Sequence, residues 1–278
     1  MNYSFINKTS SLVACLFFGL QLSTGLASTF TLIDGNSEAT GDSMSQAGMN
    51  NWTVDGTNYL KQQWFWFRSD QMSLASIDTM PLSQQNQPNP NNLHLQYGTS
   101  TTVWIDISYE LIGGPTGSGT ATLHENIEIT NNGTSNLSLS FFQFSDFDLD
   151  PQGQDSVSIT NGDTVTQQGG QASMTEAVTT LLPPTIRVEA NLSPTTKNSL
   201  NTTPSYQLSD LFNSMAGPGD ATSAIQWDIT LGQGSSFNIN KTKTISAAST
   251  NPIPEPSTLL LFGTGLLMAG LARKTCRR

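Results

Sequence analysis

Apolar and polar residues alternate with a period of two through much of residues 28–246, and helical periodicity is scarce. The best example is the stretch 101–112. There Val103, Ile105 and Ile107 fall on one side and Trp104, Asp106 and Ser108 on the other. The stretch 120–130 alternates again after the turn-forming run Gly113-Gly114-Pro115-Thr116-Gly117-Ser118-Gly119, which predicts a β-hairpin. Further strands are expected at 29–33, 59–68, 137–144, 156–160, 164–168, 185–190, 224–231 and 237–245. Asp55-Gly56 and Asn131-Asn132-Gly133 mark turns between them. The run PLSQQNQPNPNN at 81–92 reads as a polar loop, and Ser209 as the cap of a short helix over 210–213. Many short strands with Gly and Asn turns predict an all-β body, an antiparallel β-sandwich or jelly roll, over 28–246 as one domain.

The two ends break this pattern. Near the N-terminus Lys8 precedes the apolar run from Leu12 to Leu20, and Gly25-Leu26-Ala27 offers a small-x-small cleavage site. Residues 1–27 therefore read as a secretory signal peptide with a mature start near Ser28. Leu12-Val13-Ala14-Cys15 has the outline of a lipobox, but the apolar run continues past Cys15 instead of closing there. At the other end, 247–252 reads as a linker. After it come Pro254-Glu255-Pro256, an apolar or small run over 258–272, and the basic tail Arg273, Lys274, Arg277 and Arg278. A 15-residue helix would be about 22 Å long, short of the ~30 Å hydrocarbon core. The basic tail stays on the cytoplasmic side, which places the body outside, as the signal peptide also requires.

A Pro-Glu-Pro step, a short apolar helix and a terminal basic cluster together resemble the PEP-CTERM sorting signal of Gram-negative bacteria, here over 253–278. The resemblance implies a substrate of exosortase and the secretion machinery. The precursor would be anchored in the inner membrane, and the product would reach the cell surface or an extracellular matrix. Hosts of that machinery make exopolysaccharide and live in biofilms, which makes exopolysaccharide a partner to expect. Three phrases of the body are also similar to bodies of uncharacterised PEP-CTERM proteins: Asp55-Gly56 leading to Gln63-Trp64-Phe65-Trp66-Phe67-Arg68, Phe144-Ser145-Asp146-Phe147-Asp148-Leu149, and Gly217-Pro218-Gly219-Asp220 leading to Gln226-Trp227-Asp228. That likeness implies no activity.

Charge sharpens the picture. Five of the eleven Lys and Arg residues lie at the two ends, leaving six to face the 21 Asp and Glu residues. So acidic a body repels phosphate, which argues against nucleic acid as a partner. The two cysteines, Cys15 and Cys276, both lie in the terminal signals, so the body carries neither disulfide nor thiol chemistry.

Candidate chemistry is sparse. Asp146, Asp148 and Asp150 alternate along an extended stretch, and with Asp155 after them form an oxygen-rich set that calcium would take; no other cofactor is required. Pro151 and Val157 stand where an EF-hand needs Gly and Glu. Trp64 and Trp66 share one side of a strand, where they serve either as core or as a stacking platform for sugars. Glu110, Glu125 and Glu128 lie across the predicted hairpin, where two carboxylates could face each other as in a glycosidase. Gly41-Asp42-Ser43 has the outline of a hydrolase nucleophile block, but no histidine follows His124 to serve as its base. His94 and His124 read as strand-surface residues with no zinc motif around them. These features lead to the expectation of a non-enzymatic, structural or adhesive matrix protein. A carbohydrate-binding module and a secreted glycan-active enzyme remain as alternatives.

Overall fold

A computed structural model describes residues 28–180 and 184–247. The expected signal peptide, most of the expected linker and the sorting tail lie outside the described residues. The chain opens with β1 (Thr29–Asp34), β2 (Ser37–Asp42), β3 (Gly48–Val54), β4 (Thr57–Asn58), β5 (Leu60–Ser69) and β6 (Ala75–Ser76). Next come β7 (Leu82–Asn89), β8 (Asn92–Gly98), β9 (Val103–Gly113), β10 (Thr120–Asn131) and β11 (Leu137–Phe147). The last part holds β12 (Asp155–Thr160), β13 (Thr164–Gln168), β14 (Ala172–Thr180), β15 (Thr185–Leu192), α1 (Thr195–Thr202), β16 (Ser214–Gly219), β17 (Ala221–Leu231) and β18 (Ser236–Ala247).

These strands form two nine-stranded sheets. The first runs β1-β2-β3-β5-β11-β17-β15, with β4 on β3 and β6 on β5. The second runs β16-β12-β13-β14-β18-β10-β9-β8-β7. Pairing is antiparallel throughout except for a short parallel contact of Gly48 and Met49 with Gln63. The body is a β-sandwich. The expected hairpin is the β9–β10 pair, in register from Ala121 opposite Gly113 to Asn131 opposite Val103.

Alternation produces the second sheet directly. Leu123, Ile127 and Ile129 of β10 and Ile105, Ile107 and Leu111 of β9 are fully buried between the sheets, while their neighbours point outward. The centre of the first sheet is buried on both sides. Phe65 and Phe67 of β5 face the second sheet, and Phe65 stacks on Phe141 of β11 at 5.4 Å. Trp64 and Trp66 face the other way, under a cover built from α1, the chain after it, and the 3-10 turn Ile77–Thr79. Gly48 lets β3 lie against Trp64: its φ is +57°, and a Cβ there would come within 2.2 Å of the indole.

Two local expectations are corrected. The stretch 81–92 is not a loop but the edge strand β7, a tight turn and the start of β8. Its polarity suits an edge with no core face, and Gln85 and Gln87 reach across to the carbonyls of Thr29 and Thr31. Residues 210–213 form no helix; Asp210 bridges Val188 instead, and the helix of the body is α1. Strands β2, β3, β8 and β16 lie outside the expected set because their Gly, Asn, Ser and Gln content dilutes the strand signal; β14 is a further addition, with a glutamate, Glu176, in its apolar phase.

Candidate functional site

The outward side of the second sheet is an open polar grid, set by the register of β8, β9, β10 and β18. One row reads Gln96, Asp106, Glu128, Asn238 across the four strands. The next reads His94, Ser108, Asn126, Asn240, and the one beyond it Asn92, Glu110, His124, Thr242. On the other side of the first row lies Trp104, half-exposed opposite Thr130. The other four tryptophans are fully buried.

Asp106 is the hub of this grid. Its Oδ1 accepts from Gln96 Nε2 at 3.0 Å and contacts His94 Nε2 at 3.1 Å. Directly across the β9–β10 ladder stands Glu128, so two carboxylates face each other beside an indole. Like charges in such a pair repel unless a ligand or cation sits between them. His124 Nδ1 meets Thr242 Oγ1 at 3.1 Å, and Asn126 donates to Asn240 at 2.6 Å. A shallow depression of about 290 Å³ lies over Asn92, Glu110, His124 and Asn126. Among the described residues no Lys or Arg side chain points out from this face: Lys241 and Lys243 of β18 point inward and are fully buried. A larger cavity of about 400 Å³ at one end of the sandwich has Phe67, Met72 and Leu139 in its lining but no acidic, basic or histidine side chain.

The expected site residues lie elsewhere. Trp64 and Trp66 are 0% exposed, so they offer no face to a sugar, and the stacking expectation is corrected to a core role. Their indole N–H groups are spent on Asp78 and Asn201. The four Asp residues do not converge, and among the described residues no group of three or more His, Cys, Asp or Glu side chains could hold a metal ion. Asp155 accepts from Leu149 N and Gln167 Nε2, and Asp150 from Gln152 N, so both shape the turn between β11 and β12. Asp148 pairs with Lys61 at 3.7 Å, and Asp146 is buried nearby with one carboxylate oxygen unpartnered. Burial, with Asp220 next in effect, raises Asp146 to about 7. Ser43 is buried and its hydroxyl bonds Ser28 and Gln85, which leaves the Gly41-Asp42-Ser43 run structural. Glu110 and Glu128 share the outer face but stand four residues apart along the ladder, a backbone separation of about 14 Å. Glu125 points the other way, into the interior.

That interior holds the feature sequence reading missed. Glu125, Glu176, Lys241 and Lys243 meet between the sheets, at most 2% exposed. Glu125 Oε2 lies 2.6 Å from both Lys241 Nζ and Lys243 Nζ, and Lys243 is 3.3 Å from Glu176 Oε1. From the first sheet Gln63 donates to Glu125, and Gln143 Nε2 donates to both oxygens of Glu176 at 3.0 Å. Gln143 Oε1 accepts from Lys241, whose Nζ also lies 4.8 Å from the Phe65 ring centre. Burial pushes the Glu125 carboxyl up, but Lys241 and Lys243 outweigh it and hold the group below its usual range. Burial brings Lys241 down to about 8 against the pull of Glu125, whereas Glu125 and Glu176 keep Lys243 above its usual value despite burial.

No curated protein sequence matches the chain. Solved structures do match its fold. The Slr1438 protein from Synechocystis sp. PCC 6803 superposes with a TM-score of 0.50 at 11% identity, over 79% of this chain and 96% of that one. An aldose epimerase homologue from C. elegans gives 0.46 at 8% identity, over 80% and 100%. A bacterial glucoamylase complexed with acarbose gives 0.48 at 10% identity, over 82% of this chain and 34% of that one. At these identities the likeness is one of fold. The expectation of a body without enzymatic activity is withdrawn, since the solved structures that share this fold include an aldose epimerase homologue and a glucoamylase; the likeness itself assigns this chain no activity. Among the described residues no helix is long and apolar enough to cross a membrane. Residues 252–278 match the PEP-CTERM protein-sorting motif, so the chain carries the sorting signal of an exported exosortase substrate.

Proposed function

We propose that the exported body holds carbohydrate on the outer face of its second sheet. The observation that carries this reading is the row of Gln96, Asp106 and Glu128 beside the half-exposed Trp104, with His94 fixed on Asp106. A sugar ring presents C–H groups on its face and hydroxyls around its rim. An indole suits the first, and a lattice of carboxylates, amides and imidazoles suits the second. With Asp106, Glu110 and Glu128 on this face and no outward Lys or Arg among the described residues, neutral or amino-bearing glycans fit, and uronates are repelled. Held to polysaccharide outside the cell, the protein would serve as an adhesive or structural matrix component.

A second reading follows from the Asp106–Glu128 pair. Two facing carboxylates with a histidine on one of them are equipped for proton transfer to and from a bound sugar.

The test is titration of the purified body with neutral, amino-bearing and uronate oligosaccharides, repeated on Trp104→Ala and Asp106→Asn. Binding of the first two classes is expected to weaken by about tenfold in Trp104→Ala, the worth of one stacked ring. Binding that neither variant changes would overturn the assignment of this face. Sugar turnover that disappears in Glu128→Gln while binding persists would establish the second reading.

A further inference from the structure

We infer that Lys241 and Gln143 join in a covalent side-chain amide, with loss of ammonia, that staples the two sheets of the sandwich to each other. Lys241 projects from β18 of the second sheet and Gln143 from β11 of the first, 98 residues apart in sequence. Their side chains are in hydrogen-bond contact, Nζ on Oε1. A donor on a carbonyl oxygen stands about 3.5 Å from the carbonyl carbon but near the amide plane, so attack requires the amide to turn its face to the amine by rotation about Cγ–Cδ.

Everything around the pair suits amide exchange. The site is dry: Lys241 and Gln143 are each 2% exposed, and the Phe65 ring covers the amine. A desolvated lysine beside a second cation, here Lys243, is the environment that frees an amine as a nucleophile. Glu125, 2.6 Å from Nζ, is placed to take its proton. Both carboxylate oxygens of Glu176 accept from the amide Nε2, the atom that must leave, and Ser145 Oγ accepts from the same nitrogen at 3.1 Å. The titratable and charged groups that face Lys241 are therefore Glu125, Lys243 and Glu176 from the second sheet, with the Tyr109 hydroxyl beside Glu125; the first sheet contributes the neutral Gln63 and Gln143.

The step balances without a co-reactant. Lys241 passes one ammonium proton to Glu125. The freed lone pair adds to Cδ of Gln143, and the carbonyl π pair moves onto Oε1. When Oε1 re-forms the carbonyl, the Cδ–Nε2 bond breaks. The second Nζ proton passes to the departing nitrogen, which by then shares its carbon and is held by Glu176, and that nitrogen leaves as ammonia. One amine and one primary amide become one secondary amide and one ammonia, and the first proton stays on Glu125. The buried remainder is Lys243⁺ with Glu176⁻ and a neutral Glu125, so no charge is left unpaired in the core. A body without cysteine would gain by this route the covalent tie that exported domains otherwise take from disulfides.

The experiment is the intact mass of the folded protein recovered after export, with its two termini read from the fragmentation of its proteolytic digest. The expected mass is one ammonia below that calculated for the sequence between those termini, with the fragments containing Gln143 and Lys241 found joined. Lys241→Met and Glu125→Gln are expected to show the full mass, and Lys241→Met to migrate more slowly than the cross-linked chain on a denaturing gel. The wild-type protein alone decides the matter even if a variant fails to fold. A folded wild-type chain of full sequence mass, or an ammonia loss mapped to any other residue pair, overturns the proposal.

Discussion

The two sheets turn opposite outer faces to the world. On the first, the row of Trp66, Phe142, Gln226 and Arg187 is sealed by the segment from Ser193 to Asn213. Asn201 of α1 bonds the Trp66 indole at 3.0 Å, Tyr206 O accepts from Arg68, and Leu208 N donates to Gln226. On the second, Trp104 and the carboxylates beside it have no such cover. The strands record the difference. β11 is buried at nine consecutive residues from Leu139 to Phe147, whereas β10 alternates through its whole length. A tryptophan is core on one face and stands open to solvent on the other, and what decides is the chain that packs over it, not the residue type.

The contrast breaks most visibly at the two tryptophans. Trp66→Ala leaves a cavity under α1 and is expected to destabilise the body by about 3–5 kcal/mol. Trp104→Ala is expected to change stability by about 1 kcal/mol or less, the range of half-exposed positions. Chemical denaturation of both variants reads this directly. Equal losses would mean that the second sheet is covered in solution as well, and the recognition face would have to be sought elsewhere.

A smaller effect tests the cover itself. Glu189 of β15 is 4% exposed, and its Oε1 accepts from Thr196 Oγ1 and Tyr206 OH at 2.5 Å and from Asn191 at 3.1 Å. Its Oε2 accepts from Ser209 N at 3.1 Å. One carboxylate thus pins the sealing segment at three of its residues. Glu189→Gln sets an N–H against existing donors, and the expected loss is about 2–3 kcal/mol. Amide exchange should quicken first within residues 193–213 while β9 and β10 keep their protection. Uniform loss of protection in both sheets would show that the cover does not open as a separate unit.

How much of this the residues announce differs between the faces. The β9–β10 hairpin and the outward Trp104, Asp106 and Ser108 follow from alternation alone, because that side of the sheet meets water. The sealed face is not readable in this way. Trp64 and Trp66 look available on a single strand, and it is other segments that bury them: the 3-10 turn with Asp78 meets Trp64, and Asn201, 135 residues on, meets Trp66. The interior quartet left a trace that went unread. Lys241 and Lys243 keep the same phase as Ile239 and Ile245, Glu125 that of Leu123 and Ile127, and Glu176 that of Met174 and Val178. Charged residues in the apolar phase of three strands mark a buried ionic cluster, but pairing one strand with another needs the sheet order, which local pattern does not carry. The Asp146–Asp155 run misled for the opposite reason. Alternate carboxylates look convergent on an extended chain, yet the turn after Phe147 sends Asp150 and Asp155 to backbone amides of their own loop.

The smallest effect concerns Asp146, at the rim of the sealed face. It shares a row with Gln62 and Thr222, and its Oδ1 has no partner. Burial first, then the Asp220 carboxylate, lift it from 3.8 to about 7, against the pull of Lys61. In the unfolded chain the group ionises near 4, so between about pH 4 and pH 7 the folded protein binds the extra proton. Stability conferred by that proton is therefore full at low pH and is lost as pH rises through this window. Asp155, also raised by burial, acts in the same direction, so the slope should be shared between the two. Asp146→Asn removes the titration and keeps the shape. The variant is expected to gain on the order of 1–3 kcal/mol over wild type at pH 8, to match it near pH 4, and to show a shallower slope between. Urea unfolding at pH 4, 6 and 8 measures this. A variant weaker than wild type at pH 8 would mean that Asp146 is ionised and held by Lys61, and that the rim of the first sheet is an ion-pair surface like its neighbour Asp148, not an extension of the sealed interior.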